Sequence, residues 1–175
     1  MDGRIKPLLT RPDGRALVTA IEETIEPHCQ ETFVVVTDEV RGPIEAAVRS
    51  PIVVDRGDGP TGALFEAARR VGSPWLLLVG GDHPHPSIET VRALYASAGD
   101  TCDAVAVRLD GFGQTLWALY RREALLQLED PPRSLFGVLT RLSTRWVEGC
   151  SLSPTARAVF EDVDTPEDAR RYGLG

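Results

Sequence analysis

WLLLVGGDHPHPSIETVRALY, Trp75–Tyr95, is the stretch whose reading decides the fold. Five apolar residues, Trp75 to Val79, run without a polar break and stop at Gly80-Gly81. An uninterrupted apolar run of that length, bounded by turn residues, reads as a strand covered on both faces. Ser87 then stands where a helix N-cap belongs, and Ile88, Val91 and Tyr95 recur at helical spacing as an inward face. Strand, glycine turn, acidic residue and amphipathic helix in succession make one unit of an α/β domain.

The same alternation extends outward in both directions. Upstream, Leu17, Val18, Ile21 and Ile25 form one helical stripe ended by Pro27; Phe33–Val36 and Ile52–Val54 read as buried strands, and Pro43 opens a short helix between them. TGALFEAARRV, Thr61–Val71, is a further helix with Leu64, Ala67, Ala68 and Val71 inward. Downstream, DAVAVRL and TLWALY read as strands, REALLQLE and SLFGVLTRL as helices, RWVE and the neighbourhood of Val159 as short strands, and PEDARRYG as a closing helix begun by Pro166. DGFGQ, Asp110–Gln114, is a glycine loop before a strand that reads either as shaping the acceptor side or as a plain connector. The expectation is a single α/β domain over residues 1–175, a mostly parallel sheet with helices on both faces.

Bulk composition narrows the chemistry. The formal net charge of −7 argues against gripping a nucleic-acid backbone or an anionic membrane by charge alone. Cys29, Cys102 and Cys150 are scattered, with no CxxC spacing, so neither a disulfide framework nor a zinc site is indicated. The polar start, MDGRIKPLLTRPDGR, resembles neither signal peptide nor anchor, so a cytoplasmic location is expected.

Chemistry-bearing residues cluster in three places. In open α/β sheets ligands sit beyond the carboxyl ends of the strands, which is where Asp82 falls. A carboxylate there suits a hard cation such as Mg²⁺, although an Asx turn or helix cap accounts for it equally well. His83 and His85, locked between prolines without a third ligand in view, make a poor zinc site. DRGDGPTGALFEAA, Asp55–Ala68, is a glycine loop feeding a helix N-terminus, whose free N–H groups favour anionic groups; it lacks both the P-loop and the dinucleotide-binding fingerprints. In FEDVDTPEDARRYG, Asp162 and Asp164 share a face if extended, and Thr165-Pro166-Glu167-Asp168 starts a helix.

Taken in order along the chain, these segments resemble the MobA-like nucleotidyltransferases, whose members include the molybdenum-cofactor guanylyl- and cytidylyltransferases. GDGPTGALFEAA resembles the family's GPLAGL-type segment, VGGDHPHPS its GDMP-type segment, QTLWALYRREAL its P-L-x-A-L-Y strand with the following helix, and FEDVDTPEDARRY its closing T-P-E-D segment. The resemblance implies a Rossmann-like nucleotidyltransferase fold. It also implies transfer of a nucleoside monophosphate from GTP or CTP to a phosphorylated acceptor such as molybdopterin, releasing pyrophosphate. On this similarity Asp82 and Asp164 would hold Mg²⁺, Lys6 and Asp82 would be catalytic, and Lys6, Asp38, Asp58, Gly59 and Gly62 would line the nucleotide.

The front of the chain departs from the family. Its first strand, central in the sheet, and its LAGGxSxRMG-type loop have no counterpart before Lys6. The expected consequence is unpaired edges on the neighbouring strands and a core facing a gap. Two explanations compete: a start assigned too late in a longer enzyme, or a shortened, non-catalytic binding or scaffold protein.

Overall fold

The computed structural model describes residues 4–55 and 59–175. The elements follow the alternation expected from the sequence: α1 (Leu17–Ile25), β1 (Val34–Val36), α2 (Arg41–Glu45), β2 (Ile52–Val54), α3 (Gly59–Arg70), β3 (Trp75–Leu78), α4 (Ile88–Ser97), β4 (Ala104–Leu109), β5 (Phe112–Gly113), β6 (Ala118–Arg121), α5 (Arg122–Leu126), α6 (Leu135–Arg141), β7 (Thr144–Glu148), α7 (Pro154–Ala158) and α8 (Pro166–Arg171). None of the described helices is long and apolar enough to cross a membrane.

β4 shows why continuous apolar strands signal two covered faces. Ala104 and Ala106 pack with Leu64, Leu125 and Val138 from α3, α5 and α6, whereas Val105 and Val107 pack with Leu94 of α4. All four strand residues are fully buried, because successive side chains point to opposite faces and each face carries helices. This is the layered α/β arrangement that the sequence suggests.

Strand directions are set by the connections. β3, β4 and β7 share one direction, since β6 runs antiparallel to both β3 and β4 while β7 is parallel to β4. β6 is reversed because residues 110–117 are too short a link for a crossover. Within that link Asp110 and Gly111 have φ of 49° and 85°, and Leu109 pairs with Phe112. Segment DGFGQ is thus a tight hairpin turn rather than a plain connector, and its Asp-Gly dipeptide was the available signal.

β1 and β2 form a separate parallel pair, and no strand among the described residues joins them to the five-stranded sheet. The gap expected from the sequence is present as a cavity of about 1160 Å³ between β1 and β3.

Three local expectations are corrected. Tyr95 is 41 % exposed, and Leu94, fully buried, takes the inward position one residue earlier on α4. Ser87 precedes α4 but its side chain makes no capping bond. Val159 is not in a strand: it follows α7, which Ser153 caps and Pro154 begins, and it is buried against Trp117.

The α1–β2 link is held by a buried carboxylate. Glu22 accepts the amide of Ser50 at 2.6 Å and that of Arg49 at 3.0 Å. Burial pushes this carboxyl up, but the bonds from Ser50 and Arg49 outweigh it, so its pKa lies below the ordinary value of 4.5. Glu22→Ala should cost about 2 kcal/mol in urea unfolding, by stranding these donors. Because the folded pKa is the lower one, the contribution is fully present above pH 4.5 and is lost as pH falls through the folded value. The gap between wild type and variant should therefore close on acidification, and a difference that persists in strong acid would contradict the assignment.

Candidate active site

β3 delivers Asp82 to the carboxyl rim of the sheet, and the two glycines before it are required for space. A Cβ on Gly80 would lie 2.6 Å from Nε2 of His83, and one on Gly81 would lie 3.0 Å from Pro7. Neither glycine has a positive φ, so close approach rather than a left-handed turn explains them. The close neighbour of Gly81 is the segment that carries Lys6.

His83 explains the burial just beyond Asp82. It is only 5 % exposed, its Nδ1 lies 3.1 Å from the carbonyl oxygen of Glu161, and its ring meets Trp117 edge-on. The amide of Val163 donates to the carbonyl of Asp82 at 3.2 Å. The post-β3 loop and the closing segment are thereby fastened side by side. His85 points elsewhere, against Tyr172 and 4.0 Å from the Glu161 carboxylate. The two histidines do not converge on a metal, and no cluster of three or more His, Cys, Asp or Glu suited to a metal occurs among the described residues.

Fastening these segments brings together residues far apart in sequence. Nζ of Lys6 donates to Oδ1 of Asp164 at 2.6 Å and lies 3.8 Å from Oδ2 of Asp82. Asp164 is free to do so because the capping role at α8 belongs to its neighbours: Thr165 and Asp168 form a reciprocal capping box. The Lys6 pKa is raised, first by its hydrogen bond to Asp164 and then by the negative charge of Asp164, Asp82 and Asp162 against an opposing burial effect. Lys6 is accordingly a cation at neutral pH, standing between the half-buried carboxylate of Asp82 and the exposed one of Asp164.

Two hard oxygen donors sharing one positive charge fit the chemistry of Mg²⁺, which commonly takes one or two protein carboxylates and completes its shell with water and phosphate. The residues present therefore suit such an ion.

The nucleotide-side residues are placed less tightly. Gly59 begins α3 with φ of 69° and lines the same cavity as Lys6 and Asp82. Gly62 lies within the first turn of that helix. Asp38 opens the short 3-10 turn after β1, exposed, and is not among the residues facing the cavity. Asp55, just after β2, does face it, although nothing in its local sequence separates it from a turn aspartate. Asp58 lies outside the described residues. Arg141 donates to the carbonyls of Glu129 and Asp130, and Arg145 to the carbonyl of Ser97 at the end of α4 and to the hydroxyl of Thr101, so both act in packing.

Comparison with known proteins gives a consistent result. Residues 1–142 match the family model described as the MobA-like NTP transferase domain. A Bacillus cereus protein named "Probable molybdenum cofactor guanylyltransferase" is 22 % identical over 163 residues, covering 89 % of this chain and 81 % of that protein. The crystal structure of molybdopterin-guanine dinucleotide biosynthesis protein A from Archaeoglobus fulgidus superposes with a TM-score of 0.78 at 23 % identity, covering 97 % of this chain and 89 % of that one. A Mycobacterium tuberculosis protein in complex with manganese has a TM-score of 0.71 at 22 % identity, with 97 % and 92 % coverage. The structural likenesses establish the Rossmann-like nucleotidyltransferase fold. Asp164 lies beyond the segment matched by the family model.

Proposed function

Since the chain belongs to the MobA-like NTP transferase family, we propose that it transfers a nucleoside monophosphate from GTP or CTP to a phosphorylated acceptor of the molybdopterin type, releasing pyrophosphate. The observation that carries this reading is the convergence of Lys6, Asp82 and Asp164 on one rim. In the reaction an acceptor phosphate oxygen attacks the α-phosphorus. The bond from that phosphorus to the bridging oxygen breaks, and pyrophosphate leaves with the electron pair. Catalysis of such a step is positioning plus neutralisation of charge on the phosphate oxygens.

Mg²⁺, held by Asp82 and Asp164, would supply that neutralisation. Lys6 is held beside both carboxylates and contributes a fixed positive charge toward phosphate. The first turn of α3, with Gly59 and Gly62, would meet the nucleotide, and Asp58 comes just before it in the sequence. The manganese complex of the M. tuberculosis structure is consistent with a divalent ion on this fold.

The test is a thermal melt with and without GTP or CTP plus Mg²⁺, paired with pyrophosphate release in the presence of molybdopterin. Nucleotide at a hundred times its dissociation constant should add about 2.7 kcal/mol. For a chain of this size that raises the midpoint by roughly 5–10 °C. No shift with either nucleotide at millimolar concentration, together with no pyrophosphate, would leave the scaffold reading in its place.

A further inference from the structure

Asp82 and Asp164 come from separate segments, and their side chains are 29 % and 64 % exposed, so close packing of the carboxylates themselves does not fix their spacing. The residue after Asp82 is His83, and it is buried. Its Nδ1 lies 3.1 Å from the carbonyl oxygen of Glu161. A carbonyl only accepts, so Nδ1 carries the proton of this bond. Nε2 has no hydrogen-bond partner among the described residues, which leaves Nδ1–H as the polar tie of the ring. The imidazole is held from two sides. Trp117, fully buried, meets it edge-on with ring centroids 6.3 Å apart, and Gly80 lacks the Cβ that would lie 2.6 Å from Nε2.

A second bond runs beside the first. The amide of Val163 donates to the carbonyl of Asp82 at 3.2 Å. His83 to Glu161 and Val163 to Asp82 therefore cross-link the same two segments. One bond lets two segments pivot about it, whereas two fix their relative orientation. Each carboxylate of the site stands next to one of these cross-links, Asp82 before His83 and Asp164 after Val163. Val163 is fully buried and packs with Leu9 and Leu17. The amide of Leu9 donates to the carbonyl of Lys6 at 3.0 Å, so the segment that carries Lys6 rests on the same residue. All three charged groups thus hang from one frame, and His83 supplies its side-chain cross-link.

We propose that His83 is a positioning residue of this site: its Nδ1–H bond to the Glu161 carbonyl sets the spacing at which Asp82 and Asp164 take one divalent cation together. The inference rests on the transferase reading for the role of that ion, and adds to it a residue that touches neither ion nor substrate. His83 is not itself placed as a ligand, since Nδ1 is taken by Glu161 and Nε2 is buried over Gly80. Carboxylates held at the wrong spacing must reorganise to bind, and partners that orient metal ligands typically carry about 10–100-fold in metal affinity. The identity of the residue at position 83 thus bears on the ion through geometry, with Trp117 and Gly80 shaping the seat from which it acts.

The experiment titrates the full chain with Mn²⁺ alone, read by water-proton relaxation, and follows amide exchange at Val163 in the metal-free protein. His83→Phe keeps a ring against Trp117 and deletes the donor. His83→Gln carries its amide toward the place of Nε2 and is the second loss variant, used if the phenylalanine chain does not fold. His83→Asn returns a donor near the place of Nδ1. Mn²⁺ affinity should fall by about tenfold or more in the loss variants and stay within about threefold of wild type with asparagine. Exchange at Val163 should quicken by about tenfold in the loss variants and recover with asparagine. Wild-type affinity in a loss variant overturns the inference, whether or not Val163 exchanges faster. An equal loss with asparagine also overturns it, and assigns the effect to ring packing. Asp82→Ala is the control that separates the two readings. Binding abolished by Asp82→Ala but untouched by His83→Phe overturns the role of His83 alone. Equal Mn²⁺ binding by wild type and Asp82→Ala overturns the metal assignment of the transferase reading, and the role of His83 with it.

Discussion

Asp82→Ala should lower pyrophosphate release by at least about 10²-fold while leaving the melting midpoint of the free protein nearly unchanged. The asymmetry follows from where the carboxylate sits. Its side chain is 29 % exposed and contributes one long contact, 3.8 Å, to Lys6. An exposed pair of that length is worth little to stability. If, as proposed, the same carboxylate and Asp164 hold Mg²⁺ against the triphosphate, each positioned charge would be worth several kcal/mol in the transition state. The variant should also lose the Mg²⁺-dependent part of the nucleotide-induced rise in midpoint. Turnover within about threefold of wild type would remove Asp82 from the mechanism, since loss of a group acting on the transition state costs far more. A large drop in the free protein's midpoint would instead reassign it as structural.

The second large effect is on stability and belongs to Trp117. This side chain is fully buried, packs with Ile21, Val91 and Val159, and meets the ring of His83 edge-on. It therefore ties α1, α4, the start of β6, the segment after α7 and the post-β3 loop to one point. Trp117→Ala should cost about 3–5 kcal/mol, the range for deleting a large buried aromatic side chain. The corresponding fall in midpoint is on the order of 10 °C for a domain of this size. Trp117→Phe should retain most of the stability, because the deleted volume is smaller and the indole Nε1 has no hydrogen-bond partner to lose among the described residues. A denaturant midpoint for the alanine variant within about 1 kcal/mol of wild type would show that the cluster does not bear on the fold as described. The backbone at Trp117, with φ of 52°, is unfavourable for any bulky residue, so alanine inherits that strain and gains nothing by it.

Much of the architecture was legible because it depends on local periodicity. Ile52–Val54 and the closing helix at Pro166 are where the pattern puts them, since burial on two faces leaves a continuous apolar signature and a capping sequence marks its own helix. Errors arose where burial depends on distant packing. Val159 reads as β-branched strand, but its neighbours Ser153 and Pro154 cap and start a short helix, and its burial against Trp117 is a tertiary contact. Tyr95 and Leu94 both fit the helical stripe, and only the position of β4 beneath α4 selects Leu94.

The candidate site divides in the same way. Asp82 could be found from a strand ending at two glycines, because that placement at the sheet rim follows from the α/β topology itself. Its grouping with Lys6 and Asp164 came only through the family resemblance, since local pattern carries no information about a contact such as that of Lys6 with Asp164, 158 positions apart. That partnership required His83 and Val163 to clamp the post-β3 loop against the closing segment. Composition and periodicity determined which layers exist and which residues are apolar enough to fill them, because those are short-range consequences of side-chain chemistry. Tertiary packing alone decided that two carboxylates share one ammonium, and that β1 and β3 line the two sides of one cavity, because both depend on where separate segments come to rest in space.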